Sequence, residues 1–310
     1  MAELSKAQMD LLKELTGLTG CNPGGAINIR ANGELAVREV TENINITSKT
    51  DGKSGIDIRI KSGCQGETMY IPVVIDESGR HDVVYNDFYV EEGADVTIIA
   101  GCGIHNCGNS DSEHDGIHRF FIGKNARVKY IENHYGDGDG NGKRILNPVT
   151  EVHQEEGSSC EMEMVQIKGV DSTIRTTNSY LAADAKLIVR ERLMTHGEQY
   201  AESVYLTELN GDGASADVVS RSVAKEHSFQ KYTSRIVGNA ACTGHTECDA
   251  ILMDEARVLA IPELDAANLD ASLVHEAAIG KIAGDQLIKL MTLGLTPEEA
   301  EEQIINGFLA

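Results

Sequence analysis

A chain of 310 residues is long for one ordinary domain and short for two, and a single elongated domain fits it. Its 49 acidic against 27 basic residues leave a formal net charge of −22, which repels phosphate backbones and sets nucleic acid aside as a partner. No apolar run reaches the ~18 residues of a membrane span, and no signal-peptide pattern opens the chain. The seven scattered Cys point to reduced thiols in the cytoplasm rather than a disulfide framework.

In chain order, residues 1–26 read as a helix and a turn. Ser5 and Gln8 form a capping box, Leu4 and Met9 a staple, and Leu11, Leu12 and Leu15 one apolar stripe that Gly17 and Gly20 end. "CNPGG" at 21–25 is a turn cluster. From 27 to 280 short period-2 runs such as "IDIRIKS" alternate with Gly, Asp and Asn, the pattern of strands and turns. A loose phrase recurs, a polar turn followed by alternating apolar positions, starting at residues 91, 123, 155, 182, 211 and 253. The spacings are 32, 32, 27, 29 and 42. A repeat of that length with short strands and no helix predicts a mainly β fold, a right-handed parallel β-helix; a β-sandwich is the alternative. Residues 281–310 read as a helical pair. "DQLIKLMTLG" closes at Gly294, and Thr296, Pro297 and Glu299 start a second helix with Ala300, Ile304 and Phe308 on one face. Such a pair can cap the open edge of the β stack or present a docking face, and the two uses are compatible.

Three motifs bear on chemistry. "GCGIHNCG" and "SEHDGIHRF" place Cys102, His105, Cys107, His114 and His118 close in sequence, residue types that bind zinc, though no paired C-x2-C knuckle is present. "YGDGDGNGK" (135–143) has the look of a calcium loop without its spacing or closing Glu, and reads as a flexible turn. "SLVHEAAIGKI" pairs His275 with Glu276, but Ile279 stands where a zinc protease needs its second His. About one coil earlier lies Cys248 in "TECDAIL", which alone reads as a core thiol, as do Cys21, Cys64, Cys160 and Cys242. One coil apart means neighbouring layers, so thiolate, imidazole and carboxylate at 248, 275 and 276 become a candidate site for iron or another borderline metal.

The segments "ECDAIL", "AIPEL" and "VHEAAIGKIAGDQLIKLMTLGLTPEEAEEQIINGF" stand in the order and near the spacing of the C-terminal core of the SufB/SufD iron–sulfur cluster assembly proteins, and the chain resembles a minimal archaeal-type SufB-like subunit. The resemblance covers roughly the last 60 residues by motif. It implies a scaffold rather than an enzyme, homodimeric, holding a transient iron–sulfur cluster (4Fe–4S favoured) and working with a SufC-type ATPase, a sulfur donor and apo-protein acceptors. Cys248 corresponds to the family's functional Cys, Glu276 to the second Glu of Glu-His-Glu-Ala and His275 to its His. Val274 replaces the first Glu and Glu247 the usual Gln. The 281–310 helices are the expected ATPase dock, with Leu287, Leu290, Met291, Ile304 and Phe308 as anchors. No phosphate-cradling G-x-x-x-x-G-K-[ST] loop is present, so ATP hydrolysis is expected of the partner. The rivals are a β-helix enzyme acting on carbohydrate, which the lack of Trp disfavours, and a SufD-like companion holding no cluster, which retention of Cys248 and Glu276 disfavours.

Overall fold

The computed structural model describes residues 4–20 and 24–310 and is mainly β, a solenoid of about 8 turns. Cys21 and most of the turn expected at 21–25 lie outside the described residues. Helix α1 (Lys6–Thr16) opens the chain with the expected Ser5–Gln8 capping box. The early strands are β1 (Ala26–Ala31), β2 (Glu34–Glu39), β3 (Ile44–Ser48), β4 (Gly55–Ile60), β5 (Gln65–Ile75), β6 (His81–Val90) and β7 (Asp95–His105). There follow β8 (Ser112–Ile122), β9 (Arg127–Asp137), β10 (Arg144–Leu146), β11 (Val149–Gln154), β12 (Ser159–Lys168), β13 (Ser172–Leu181) and β14 (Lys186–Thr195). The last are β15 (Tyr200–Leu209), β16 (Ser215–Ala224), β17 (Phe229–Gly238), β18 (Thr243–Leu252), β19 (Arg257–Ala266) and β20 (Ser272–Gly280), then helices α2 (Gly284–Thr292) and α3 (Pro297–Leu309).

The strands form two sheets. The first runs β2-β1-β5-β7-β9-β12-β14-β16-β18-β20; the second runs β19-β17-β15-β13-β10-β8-β6-β4-β3, with β11 joining β8 and β13. From β5 onward every pairing is parallel, so each coil sends one strand to each sheet. Period-2 sequences fit this geometry because alternate side chains turn into the space between the sheets. Residues of β8 and β15 alternate strictly between buried and half-buried. Equivalent residues stack in ladders. Phe88 lies on Phe120 with ring centroids 4.3 Å apart inside the coil, while Tyr89, Phe121, His153 and Tyr180 stack on the outside of the second sheet.

The imperfect repeat now has a cause. Residues stacked on one another are 32 apart in the coils from β6 to β12 and 27 to 29 apart in the later ones, as in Arg127–Ser159, Ser159–Lys186 and Asp249–Ala278. The phrases at 91, 123, 155, 182 and 211 lead into β7, β9, β12, β14 and β16 of the first sheet. The phrase at 253 leads into β19 of the second sheet, which is why its spacing breaks the series.

Three expectations need correction. Pairing is not parallel throughout 27–280: β1–β2 and β3–β4 are antiparallel hairpins, so short strands end the stack at its N-terminal side. The 135–143 loop is packed rather than loose, since a Cβ on Gly138 (φ 104°) would lie 2.4 Å from the Asn106 carbonyl oxygen. The C-terminal helices do not cap the last coil. Ile305 and Leu309 of α3 pack with Met194, Val223 and Ile251 at the ends of β14, β16 and β18, and Lys225 reaches Glu301 at 2.8 Å. The last coil is therefore open: β19 and β20 are edge strands with Leu259, Leu264, Val274 and Ile279 exposed. At the other end α1 lays Leu11, Leu12 and Leu15 on the first sheet, where Gly103 leaves room that a Cβ 3.0 Å from Leu11 would fill. Among the described residues no helix is long and apolar enough to cross a membrane.

Candidate functional site

Cys248 lies in β18, whose Gly244, Thr246, Cys248 and Ala250 turn inward. Its residue is 1% exposed, and burial, with Glu191 and Asp249 adding negative potential, pushes the thiol up to about 12. On the edge strand β20, His275 pairs with Thr246, Glu276 with Glu247 and Ala277 with Cys248. Strand parity then sorts the candidate residues, because successive side chains point to opposite faces. His275 shares the inner face with Thr246 and Cys248. Its ring bonds the Thr246 backbone, its buried Nδ1 has no partner among the described residues, and burial lowers its pKa toward the neutral ring. Glu276 stands on the outer face with its side chain 67% exposed, its Oε2 3.7 Å from His245 Nε2. Within one chain the three residues do not meet, because the sheet lies between Glu276 and the other two.

The five-residue group expected around "GCGIHNCG" also splits by parity. His105 and Cys107 are outside the solenoid, with Cys107 Sγ 3.1 Å from His105 Nε2 and His105 Nδ1 2.7 Å from Asp137. Cys102 and His114 are inside, where the sequence did not reveal their companion His134, the direct neighbour of Cys102 on β9. Burial alone would raise the Cys102 thiol, but His114 and His134 beside it bring it down to about 7. Burial would depress His114, but the Cys102 thiolate and Asp82, whose Oδ2 is 3.2 Å from Nδ1, raise it to about 10. His118 takes no part: it bonds Tyr130 Oη at 2.8 Å, and burial drives it down to about 4. These residues do not make one five-ligand zinc site.

From this pair a file of polar groups runs along the interior. Arg30 clamps Asp82 with two nitrogens at 2.8 and 2.7 Å. Glu132, beyond His134, pairs with Arg175 and accepts from Tyr130 Oη, and Arg175 Nε lies 3.7 Å from Glu191. Burial would raise Glu132, but Arg175 and His134 hold it well below the usual carboxylate range. Glu191 accepts from Ser203 and Ser220, each at 2.6 Å, and Ser220 is the direct neighbour of Cys248. Polar side chains, linked by hydrogen bonds and ion pairs, thus occupy the core between the two thiols. One coil step from Cys102 lands on His134, and one from Glu276 back lands on Glu247, so the repeat carried these pairings once its register was known. Cys64, Cys160 and Cys242 are buried, and burial raises all three thiols, Cys160 to about 12.

The expected anchors at the C-terminus are divided too. Phe308 packs into the cluster of Ile305, Leu309 and Val223, Leu287, Leu290 and Ile304 are half-buried, and Met291 is exposed with Ile288 and Leu293. The apolar face left uncovered is that of α2, which has no buried residue.

Comparison with known proteins bears on the whole chain. Residues 75–308 match the family described as SUF system FeS cluster assembly, SufBD core domain. An iron–sulfur cluster assembly SufBD family protein of Archaeoglobus fulgidus is 29% identical over 262 residues, 84% of this chain and 69% of the relative. One from Methanocaldococcus jannaschii is 28% identical over 262 residues, 84% of this chain and 82% of the relative. A third, from Methanothermobacter thermautotrophicus, is 28% identical over 235 residues, covering 73% and 55%. The match begins at the end of β5, takes in Cys102 and Cys248, and runs on to the last helix: the chain belongs to the SufBD family of iron–sulfur cluster assembly proteins.

Proposed function

We propose that the chain is the scaffold subunit of a cytoplasmic SUF-like assembly complex, building a transient iron–sulfur cluster, its cargo, where two copies meet at their open last coils. The observation that carries this reading is the placement of Cys248 and His275 on the inner face of the last two strands of the first sheet, beneath an edge that none of the described residues covers. An edge strand with exposed Val274 and Ile279 is a template for pairing with another chain. In the homodimer, each copy supplies Cys248 as a soft ligand and His275 as a borderline one, with Glu276 on the outer rim, and the two-fold axis doubles the set. Few thiolates and harder N and O ligands suit a cluster that must be handed on to an acceptor.

Cys102 supports the same reading from the other end. Its thiol, poised near 7 by two imidazoles, is a better nucleophile toward a sulfur donor than the Cys248 thiol near 12. The polar file between them lines the interior from Cys102 toward the last coil. A SufC-type ATPase docks on the uncovered face of α2, and the chain itself turns over no ATP. The test is anaerobic reconstitution with iron and sulfide, followed by the visible spectrum. Broad sulfide-to-iron bands of a 4Fe–4S cluster, lost on adding an apo-protein acceptor, support the scaffold. A chain that stays colourless as an established dimer would instead favour the companion-subunit reading.

A further inference from the structure

We propose a second, sulfur-free site on the outer face of the first sheet, where His245, Glu247 and Glu276 bind one divalent first-row metal ion. His245 and Glu247 are two apart on β18 and therefore share its outer face; Glu276 is the direct neighbour of Glu247 on β20. The three ligand atoms, one from each side chain, lie within 4.8 Å of one another. Bonds of ~2.0–2.2 Å to nitrogen and oxygen need ligand atoms somewhat closer than that, which the exposed Glu276 side chain reaches by a rotamer change.

The imidazole is set for this task. Asp217 Oδ1 lies 2.8 Å from His245 Nδ1, so Nδ1 carries the proton and the Nε2 lone pair faces Glu276. Asp217 is itself fixed by Arg190 Nη2 at 2.5 Å. A carboxylate behind a histidine, orienting the ring and raising its basicity, is the arrangement that supports metal-ligating imidazoles. Arg221 lends Glu247 positive potential without pairing with it among the described residues. Among the described residues neither Glu247 nor Glu276 forms an ion pair with a Lys or Arg, although like charges directly opposite on neighbouring strands repel. A bound cation removes that repulsion.

The other comparable group, His81 with Glu113 and Asp115, lacks these features. There His81 Nε2 is already engaged by Asp115 at 3.1 Å, and no carboxylate is bonded to its Nδ1. One imidazole and two carboxylates select iron(II), manganese(II), cobalt(II) or zinc over magnesium and calcium. Cys248, on the opposite face of the sheet, contributes nothing to this ion, so the site stands whether or not a cluster forms at the last coil.

The experiment is titration of the chelator-treated, reduced chain with cobalt(II), read by its visible ligand-field bands and by stoichiometry, beside a thermal melt. Wild type is expected to bind one equivalent without a thiolate-to-cobalt ultraviolet band at that step. His245→Ala and Glu247→Gln lose that equivalent, and Asp217→Ala weakens it about 10- to 100-fold. Cys248→Ala keeps it, which separates this site from cluster assembly. An unchanged first equivalent in the His245→Ala, Glu247→Gln double variant, or a thiolate band accompanying it, overturns the assignment.

Discussion

Two regions of one solenoid treat the same residue type in opposite ways. Near the N-terminal end Cys102 faces His114 and His134, and its thiol lies near 7; near the C-terminal end Cys248 faces Ser220 and Glu191, and its thiol lies near 12. Both are inward-facing cysteines on parallel strands of the same sheet, so the strand does not set reactivity. The neighbours one coil away do. The closed region surrounds its charges with partners, while the last coil leaves Leu264, Val274 and Glu276 to solvent. The first is built to hold an ionised thiol; the second is unfinished until something covers it.

The comparison breaks most severely if the interior charges prove dispensable. Arg175→Met leaves Glu132 buried without its cation and is expected to cost about 3–5 kcal/mol in a urea melt. Arg235→Ala, which removes exposed pairs to Glu263 and Asp265 on the last coil, is expected to cost at most about 1 kcal/mol. Equal losses would erase the distinction between the regions.

A second test is titration. The folded pKa of Cys102 is depressed from 9.0 to about 7, so its stabilisation is complete above 9.0 and lost as pH falls through about 7. That of His114 is raised from 6.5 to about 10, so its stabilisation is complete below 6.5 and lost as pH rises through about 10. The thiolate–imidazolium pair therefore exists between about 7 and about 10. The thiolate ultraviolet absorbance of wild type minus Cys102→Ser should rise with a midpoint near 7, and His114→Gln should move that midpoint upward. A midpoint unmoved by His114→Gln would detach the thiol from its imidazole.

How far the sequence carried this account depends on parity. Caps at Ser5 and Thr296, the repeat and the solenoid follow from local chemistry and period-2 patterning, and all are present. The face each residue takes is not local. His275 and Glu276 are adjacent in sequence and opposite in space, and only the register of β18 on β20 says which one joins Cys248. His134 and Glu191 were invisible for the same reason: each becomes a neighbour, of Cys102 and of Met164, only when coils of unequal length, 32 and 27 residues, are stacked correctly. Ile305 and Leu309, rather than Ile304, turn to the core because the strand ends of β14, β16 and β18, not the helix, choose the face.

The smallest structural effect belongs to the outer surface of α2. Met291→Asp touches no buried group and should shift stability by no more than about 0.5 kcal/mol. Co-purification with the ATPase should nevertheless be lost. Retention would move the dock to another surface and leave the open coil as the unfinished face.

The central claim is that the last coil holds the cargo through Cys248. Its most direct measurement is iron and acid-labile sulfide per chain after anaerobic reconstitution of wild type and Cys248→Ala, with a thermal melt of each. Solenoid stability is spread over many coil contacts, so the variant should melt close to wild type. It should also retain little iron and almost no sulfide. A well-folded Cys248→Ala chain carrying the wild-type content of both would contradict the account.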